Sequence, residues 1–133
     1  MATVQKNPIK EAERYLENAR QILSEKAGKD GDYYNDKKYV KMAGDTAWKG
    51  VLVALDAVTD VRKTQKKGRR ISIDDYQNAV FRKDRKMVKP LQSTYEVLHL
   101  LLGYDGILNY KIVQQGLILG KDMIVWASKH YKE

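Results

Sequence analysis

The chain contains no cysteine, so disulfides, thiolate metal sites and cysteine nucleophiles are excluded. It has only two prolines and nine glycines in 133 residues, too few for a chain built from turns. Two histidines, His99 and His130, are the only imidazoles, and neither sits in a His-Glu-x-x-His or an i, i+4 pair. No metal site and no cofactor follow from the sequence. The apolar runs Val51–Leu55 and Val97–Leu102 are short, and His99 interrupts the second, so no segment spans a bilayer and no membrane partner is expected. The opening residues Met1–Pro8 lack the apolar centre of a secretory signal, which predicts a soluble cytoplasmic protein. Neither a phosphate-binding Gly-x-x-x-x-Gly-Lys loop nor a Gly-x-Gly-x-x-Gly after a strand occurs.

What is present is helical periodicity over one domain, residues 1–133, with 43% hydrophobic residues to fill a single core. Ile9, Ala12, Leu16, Ala19 and Leu23 step by three and four, placing one apolar face on a first helix. Asn7 and Pro8 read as its cap and first residue, and Gly28 to Asp32 end it. A second helix is predicted from Asn35 to Val61, with Val40, Ala43, Ala47, Val51, Ala54 and Val58 in one stripe and Trp48, Leu52 and Leu55 beside it. Gly44 and Gly50 cost helix propensity, so a neighbour is expected to pack closely against each.

Ser72 with Asp75 three positions on starts a third pattern through Ile73, Tyr76 and Val80. Pro90 predicts a break or kink near Lys86–Lys89, after which Val88, Leu91, Tyr95, Leu98 and Leu102 resume the stripe. Gly103 to Gly106 forms a turn, and Val113, Gly116, Leu117, Gly120, Ile124 and Ala127 face inward on the last helix. Gly116 and Gly120 mark a tight crossing. No strand pattern is visible. The expected fold is all-α, an antiparallel up-and-down four-helix bundle of four or five helices, the third broken near Pro90.

Charge is concentrated. The formal net charge is +8, and residues 62–89 carry all of it, with eleven basic and three acidic side chains. The segment Arg62–Arg70 has six basic residues in nine and no apolar one. Such a stretch is either a solvated linker or a platform for phosphate, and its arginines suit bidentate contacts. Lys66, Lys67, Arg69, Arg70, Arg82 and Arg85 are the candidate nucleic-acid-binding residues, with Tyr76 and Phe81 near enough in sequence to stack on bases, although the spacing of Tyr76 reads rather as core. No catalytic residue is assigned. His99, beside inward Leu98 and Leu102, reads as a structural histidine.

Tyr15-Leu16-Glu17-Asn18-Ala19-Arg20, Tyr39-Val40 with Ala43, Ala47-Trp48-Lys49-Gly50-Val51-Leu52 with Ala54-Leu55, Tyr95 with Leu98-His99, and Gly103-Tyr104-Asp105-Gly106 together resemble the HEPN-like superfamily of small helical bundles. Within it, the pattern is most similar to an uncharacterised branch from Bacteroidetes, a family of unknown function. The resemblance implies homodimers, a nucleotidyltransferase-type protein partner, and in many members a metal-independent ribonuclease whose motif is Arg, four to six residues, then His. The positions that would carry the arginine are Gln92, Ser93 and Thr94 for His99, and Met123, Ile124 and Val125 for His130. The motif is absent, so the activity is not implied for this chain. Three readings follow in order: a non-catalytic bundle acting by association, as a homodimer or with a protein partner; a binder of RNA or DNA through residues 62–89; and a degenerate ribonuclease grouping His99, Tyr104 and Asp105.

Overall fold

The computed structural model describes residues 7–132. Helix α1 (Pro8–Ile22) opens at Asn7, whose side chain accepts from the amides of Ile9 and Lys10, with Pro8 where a missing N–H costs nothing. It runs on as a π-helical turn, Leu23–Ala27, and Gly28 at φ +68° turns the chain away. A two-stranded hairpin follows, β1 (Lys29–Asp30) against β2 (Tyr33–Tyr34), which the sequence reading did not foresee. Gly31-Asp32 is its two-residue loop, and Gly31 supplies the positive φ at the first loop position.

Helix α2 (Lys37–Val58) is the central element, shorter at both ends than its apolar stripe suggested. Asp36 caps its start, and the Thr59 hydroxyl donates to the Leu55 carbonyl at its end. Helix α3 (Ile73–Lys83) begins with the Ser72/Asp75 capping box. The expected break lies slightly earlier than Pro90 implied. Asp84, in extended backbone, ends α3 and caps a 3₁₀ turn, Arg85–Met87, before α4 (Val88–Thr94). Pro90 therefore falls in the first turn of a new helix, where its absent N–H has no partner to lose. Helix α4 passes into a π-helical stretch, Tyr95–Tyr104, and α5 (Tyr110–His130) completes the chain.

The result is the expected all-α bundle, with the hairpin as a small addition at one end. Every position in the main stripes of α1, α2 and α5 is buried. The glycines earn close packing. A methyl at Gly50 would sit 2.8 Å from Tyr15 Cβ and 2.9 Å from the Ala12 carbonyl oxygen, so α1 and α2 meet backbone to side chain there. Leu98 occupies the notch made by Gly116 and Gly120, its Cδ atoms within 3.1 Å of where their Cβ atoms would lie. Because α2 and α5 run the same way, their C-terminal ends share one end of the bundle, where Val58, Thr59 and His130 line a common cleft. No helix among the described residues is long and apolar enough to cross a membrane.

Candidate nucleic-acid interface

The basic segment is gathered at that same end. Residues 62–70 are all exposed, flanked by buried Val61 and half-buried Ile71, so the loop is pinned at its base and faces solvent along its length. Its tip is shaped. The Arg69 amide donates to the Lys66 carbonyl at 3.0 Å, and Gly68 at φ +79° sits third in that turn, the position that needs a left-handed residue in a type II turn. Gln65 Nε2 donates to the Arg69 carbonyl at 2.7 Å and closes the turn from the side. Lys66, Lys67, Arg69 and Arg70 therefore project from a formed turn rather than from a loose linker.

Two other cations of the segment are engaged by carboxylates. Arg82 clamps Asp60 with two hydrogen bonds, 2.7 and 3.2 Å, and Arg62 donates to Asp56 at 2.9 Å. Asp56 also accepts from the Tyr76 hydroxyl at 2.7 Å. These contacts staple α3 and the start of the loop onto the last turn of α2 and the segment that follows. Tyr76 is thus core, and burial followed by the Asp56 hydrogen bond pushes its hydroxyl far above the usual tyrosine range, so it remains a donor. Of the six candidate residues, Arg82 is the one whose guanidinium is already occupied. Arg85 is exposed in the 3₁₀ turn and shows no carboxylate partner among the described residues.

Phe81 is 57% exposed on α3, directly before Arg82 and Lys83. A bare phenylalanine in water beside two cations offers a stacking surface at this end. On its inner side, a cleft of about 500 Å³ is lined by Asp60, Ala79, Arg82, Lys83 and His130. His130 packs on Trp126, ring centroids 4.8 Å apart, and Trp126 Nε1 donates to Asp84 at 3.0 Å. The sequence pattern assigns no role to His130 and does not single out Asp60; the spacing Trp126-x-x-x-His130, one helical turn, is the available signal.

Helix ends explain part of this charge without any ligand. Arg82 and Lys83 lie in the last turn of α3, and Lys129 and His130 in the last turn of α5, where cations complement the helix dipole. The loop tip belongs to no helix and has no such explanation.

Two carboxyls at this end are held below their ordinary value of 3.8: Asp60 by its hydrogen bond from Arg82, and Asp75 by the Ser72 backbone amide, with Arg69 and Lys66 adding to the pull. A carboxyl whose folded pKa is depressed adds stability above its unfolded pKa and loses it as pH falls through the folded value. Urea midpoints are therefore expected to fall as the pH drops through and below the ordinary carboxyl value of 3.8, and Asp60→Asn with Asp75→Asn to flatten that decline. An unchanged acid slope in the double variant would refute this assignment.

The third sequence grouping divides. His99 is half-buried against the rings of Tyr95, at 5.3 Å, and Trp48, at 6.1 Å, whereas Tyr104, the last residue of the π-helix, and Asp105 after it are exposed. No group of three or more metal-binding side chains occurs among the described residues.

The domain-family profile described as a domain of unknown function, DUF5618, matches residues 7–129. The chain belongs to the DUF5618 family. A solved structure, a protein of unknown function from Dyadobacter fermentans, is similar to it with 38% identity and a TM-score of 0.79. That match covers 92% of this chain and 93% of the other. No curated protein matches this DUF5618 chain. The shared architecture is a helical bundle, and the wider HEPN-like resemblance is not carried further by these similarities.

Proposed function

We propose that this DUF5618 protein is a non-catalytic module that binds a nucleic acid through the cationic end of its bundle. The observation that carries the proposal is the ordered turn bearing Lys66, Lys67, Arg69 and Arg70 on the same end as exposed Phe81 and Arg85. A turn already formed spares the backbone beneath these cations from being ordered on meeting phosphates, and each phosphate neutralised releases counterions. Phe81 offers a face to an unstacked base, which favours single-stranded RNA or DNA over a duplex.

Electrophoretic mobility shifts with a labelled single-stranded RNA at several salt concentrations test this directly. Replacing Lys66, Lys67, Arg69 and Arg70 with serine is expected to weaken binding about 100-fold at low salt and to reduce the log–log salt slope by about 3. Phe81→Ala is expected to cost about 1–3 kcal/mol with RNA while leaving the salt slope in place. A wild-type protein that shifts neither RNA nor DNA at low salt would overturn the proposal.

A second reading, association of two copies, is supported by Ile118 and Val125, 59% and 41% exposed and seven residues apart on the outer face of α5. Light scattering with Ile118→Glu tests it, and a monomer across concentrations in the wild type would remove it. A nucleotidyltransferase-type partner and kinship with HEPN-like bundles are proposals that rest on the motif resemblance, and a cytoplasmic location is a proposal compatible with the lack of a membrane-crossing helix among the described residues.

A further inference from the structure

At the end of the bundle opposite the cationic turn, the π-helical turn of α1, the hairpin and the first turns of α5 enclose a cleft of about 370 Å³, within the size range of small-molecule sites. Two cations reach it from different elements, Arg20 on α1 and Lys29 on β1. Among the described residues Arg20 pairs with Glu17 alone, at 3.5 Å and one turn back, with 42% of the Arg20 side chain exposed. Lys29 has no carboxylate partner among the described residues; its Nζ lies 3.9 Å from the centre of the Tyr110 ring. The walls are apolar and flat. Tyr34 and Tyr110 pack with centroids 5.6 Å apart, and Leu23 and Leu117 line the base.

The cleft is held in shape before any ligand arrives. The Tyr34 amide donates to the Leu108 carbonyl at 2.8 Å, and the Tyr110 amide to the Asp32 carbonyl at 2.9 Å, joining the hairpin to the start of α5. On the other side, the amides of Asn35 and Asp36 donate to the carbonyls of Gly28 and Ala27, at 3.0 and 3.1 Å, fixing the hairpin to the π turn. Gln114 Nε2 donates to the Tyr34 hydroxyl at 2.8 Å, so that oxygen accepts and its own proton finds no acceptor among the described residues. Burial, opposed by the Gln114 hydrogen bond, raises the Tyr34 pKa and keeps this donor protonated.

From this juxtaposition we infer a binding site for a small organic anion: a flat apolar or aromatic body lying against Tyr110 and the small part of buried Tyr34 that reaches the cleft, with its phosphate or carboxylate met by Arg20 and Lys29. Both cations give charge-assisted hydrogen bonds to such a head group, and the rings have no use for a bare inorganic ion. Lys29 exchanges its contact with the Tyr110 ring for the anion, so the ring face and the cation become available together.

Nuclear magnetic resonance titration with phenyl phosphate, benzoate, benzyl alcohol and inorganic phosphate reads this out. Phenyl phosphate or benzoate is expected to move the Gln114 side-chain amide and the Tyr34 and Tyr110 ring signals saturably, the tighter of the two naming the head group. Benzyl alcohol and inorganic phosphate should bind at least about tenfold more weakly, since each lacks half of the recognition. Arg20→Met and Lys29→Met replace exposed side chains, and each is expected to weaken binding about tenfold with the urea midpoint unchanged. Absence of a saturable shift at Gln114 with either aromatic anion, benzyl alcohol binding as well as they do, or unchanged binding in both variants would overturn the inference. Because the readout residues lie away from the cationic turn, failure here leaves the nucleic-acid proposal standing, and the reverse also holds.

Discussion

Replacing Gly44 with alanine is expected to destabilise the protein by about 3 kcal/mol. A methyl there would lie 2.5 Å from Leu102 Cβ and 2.7 Å from both the Leu98 carbonyl oxygen and the Gly103 amide nitrogen. Two of those atoms are backbone and the third is anchored to it, so α2 and the π-helical stretch must separate to admit it. Gly120→Ala is the informative contrast. Its methyl would meet Leu98 Cδ1 at 3.0 Å, the movable end of a side chain, and alanine recovers about 1 kcal/mol of helix propensity. The Gly120 variant should therefore stay within about 1 kcal/mol of wild type, while Gly44→Ala loses roughly 10 °C in thermal midpoint. Equal effects at the two sites would refute the close backbone approach.

The same comparison shows which parts of the fold are legible in one dimension. Stripes at helical spacing are local, so the buried faces of α1, α2 and α5 follow from residue type alone, as do the Asn7 and Ser72 caps. Close approach at Gly44 and Gly50 also follows, because glycine within a helix needs a compensating contact. Thr94 escapes this logic. It is fully buried, yet a polar residue, and only the hydrogen bond from its hydroxyl to the Pro90 carbonyl makes that tolerable. The break before α4 is set by Asp84, which uses one carboxylate oxygen for the Lys86 amide and the other for Trp126, a residue 42 positions away. Proline is visible in a sequence; that tertiary contact is not. The hairpin carries a real local signal in Gly31-Asp32, but strands of two residues show no alternation.

Function divides along the same line. The density of charge in residues 62–89 is a property of consecutive residues and is readable directly. Which cations remain available is not, because Arg82 finds Asp60 across 22 positions and Tyr76 finds Asp56 across 20. The opposite cleft is still less legible. Arg20, Lys29, Tyr34, Tyr110 and Gln114 are unremarkable individually, and only the fold brings their three segments to one place.

Trp126→Ala is expected to cost about 4 kcal/mol, and Trp126→Phe about 1.5 kcal/mol. Trp126 is nearly buried on α5, carries His130 on its face and donates to Asp84 at the joint between α3 and α4. Alanine removes the whole ring and leaves a cavity where α5 meets that joint. Phenylalanine keeps most of the apolar volume, so its cost is chiefly the Asp84 carboxylate oxygen left without its donor. Urea unfolding of both variants measures the difference, and phenylalanine costing as much as alanine would mean that the hydrogen bond, not the packing, holds the joint. The functional consequence separates the two anchors of α3. Asp56 ties it to the last turn of α2 and Asp60 to the segment that follows, whereas Trp126 fixes the turn that carries Arg85 and Lys86. In folded Trp126→Phe protein, RNA affinity is therefore expected to fall through the Arg85 side of the surface, by about one unit of salt slope, while the four cations of the Lys66–Arg70 turn keep their contribution. A salt slope reduced by as much as in the four-serine variant would place the binding surface around α5 instead of at the loop.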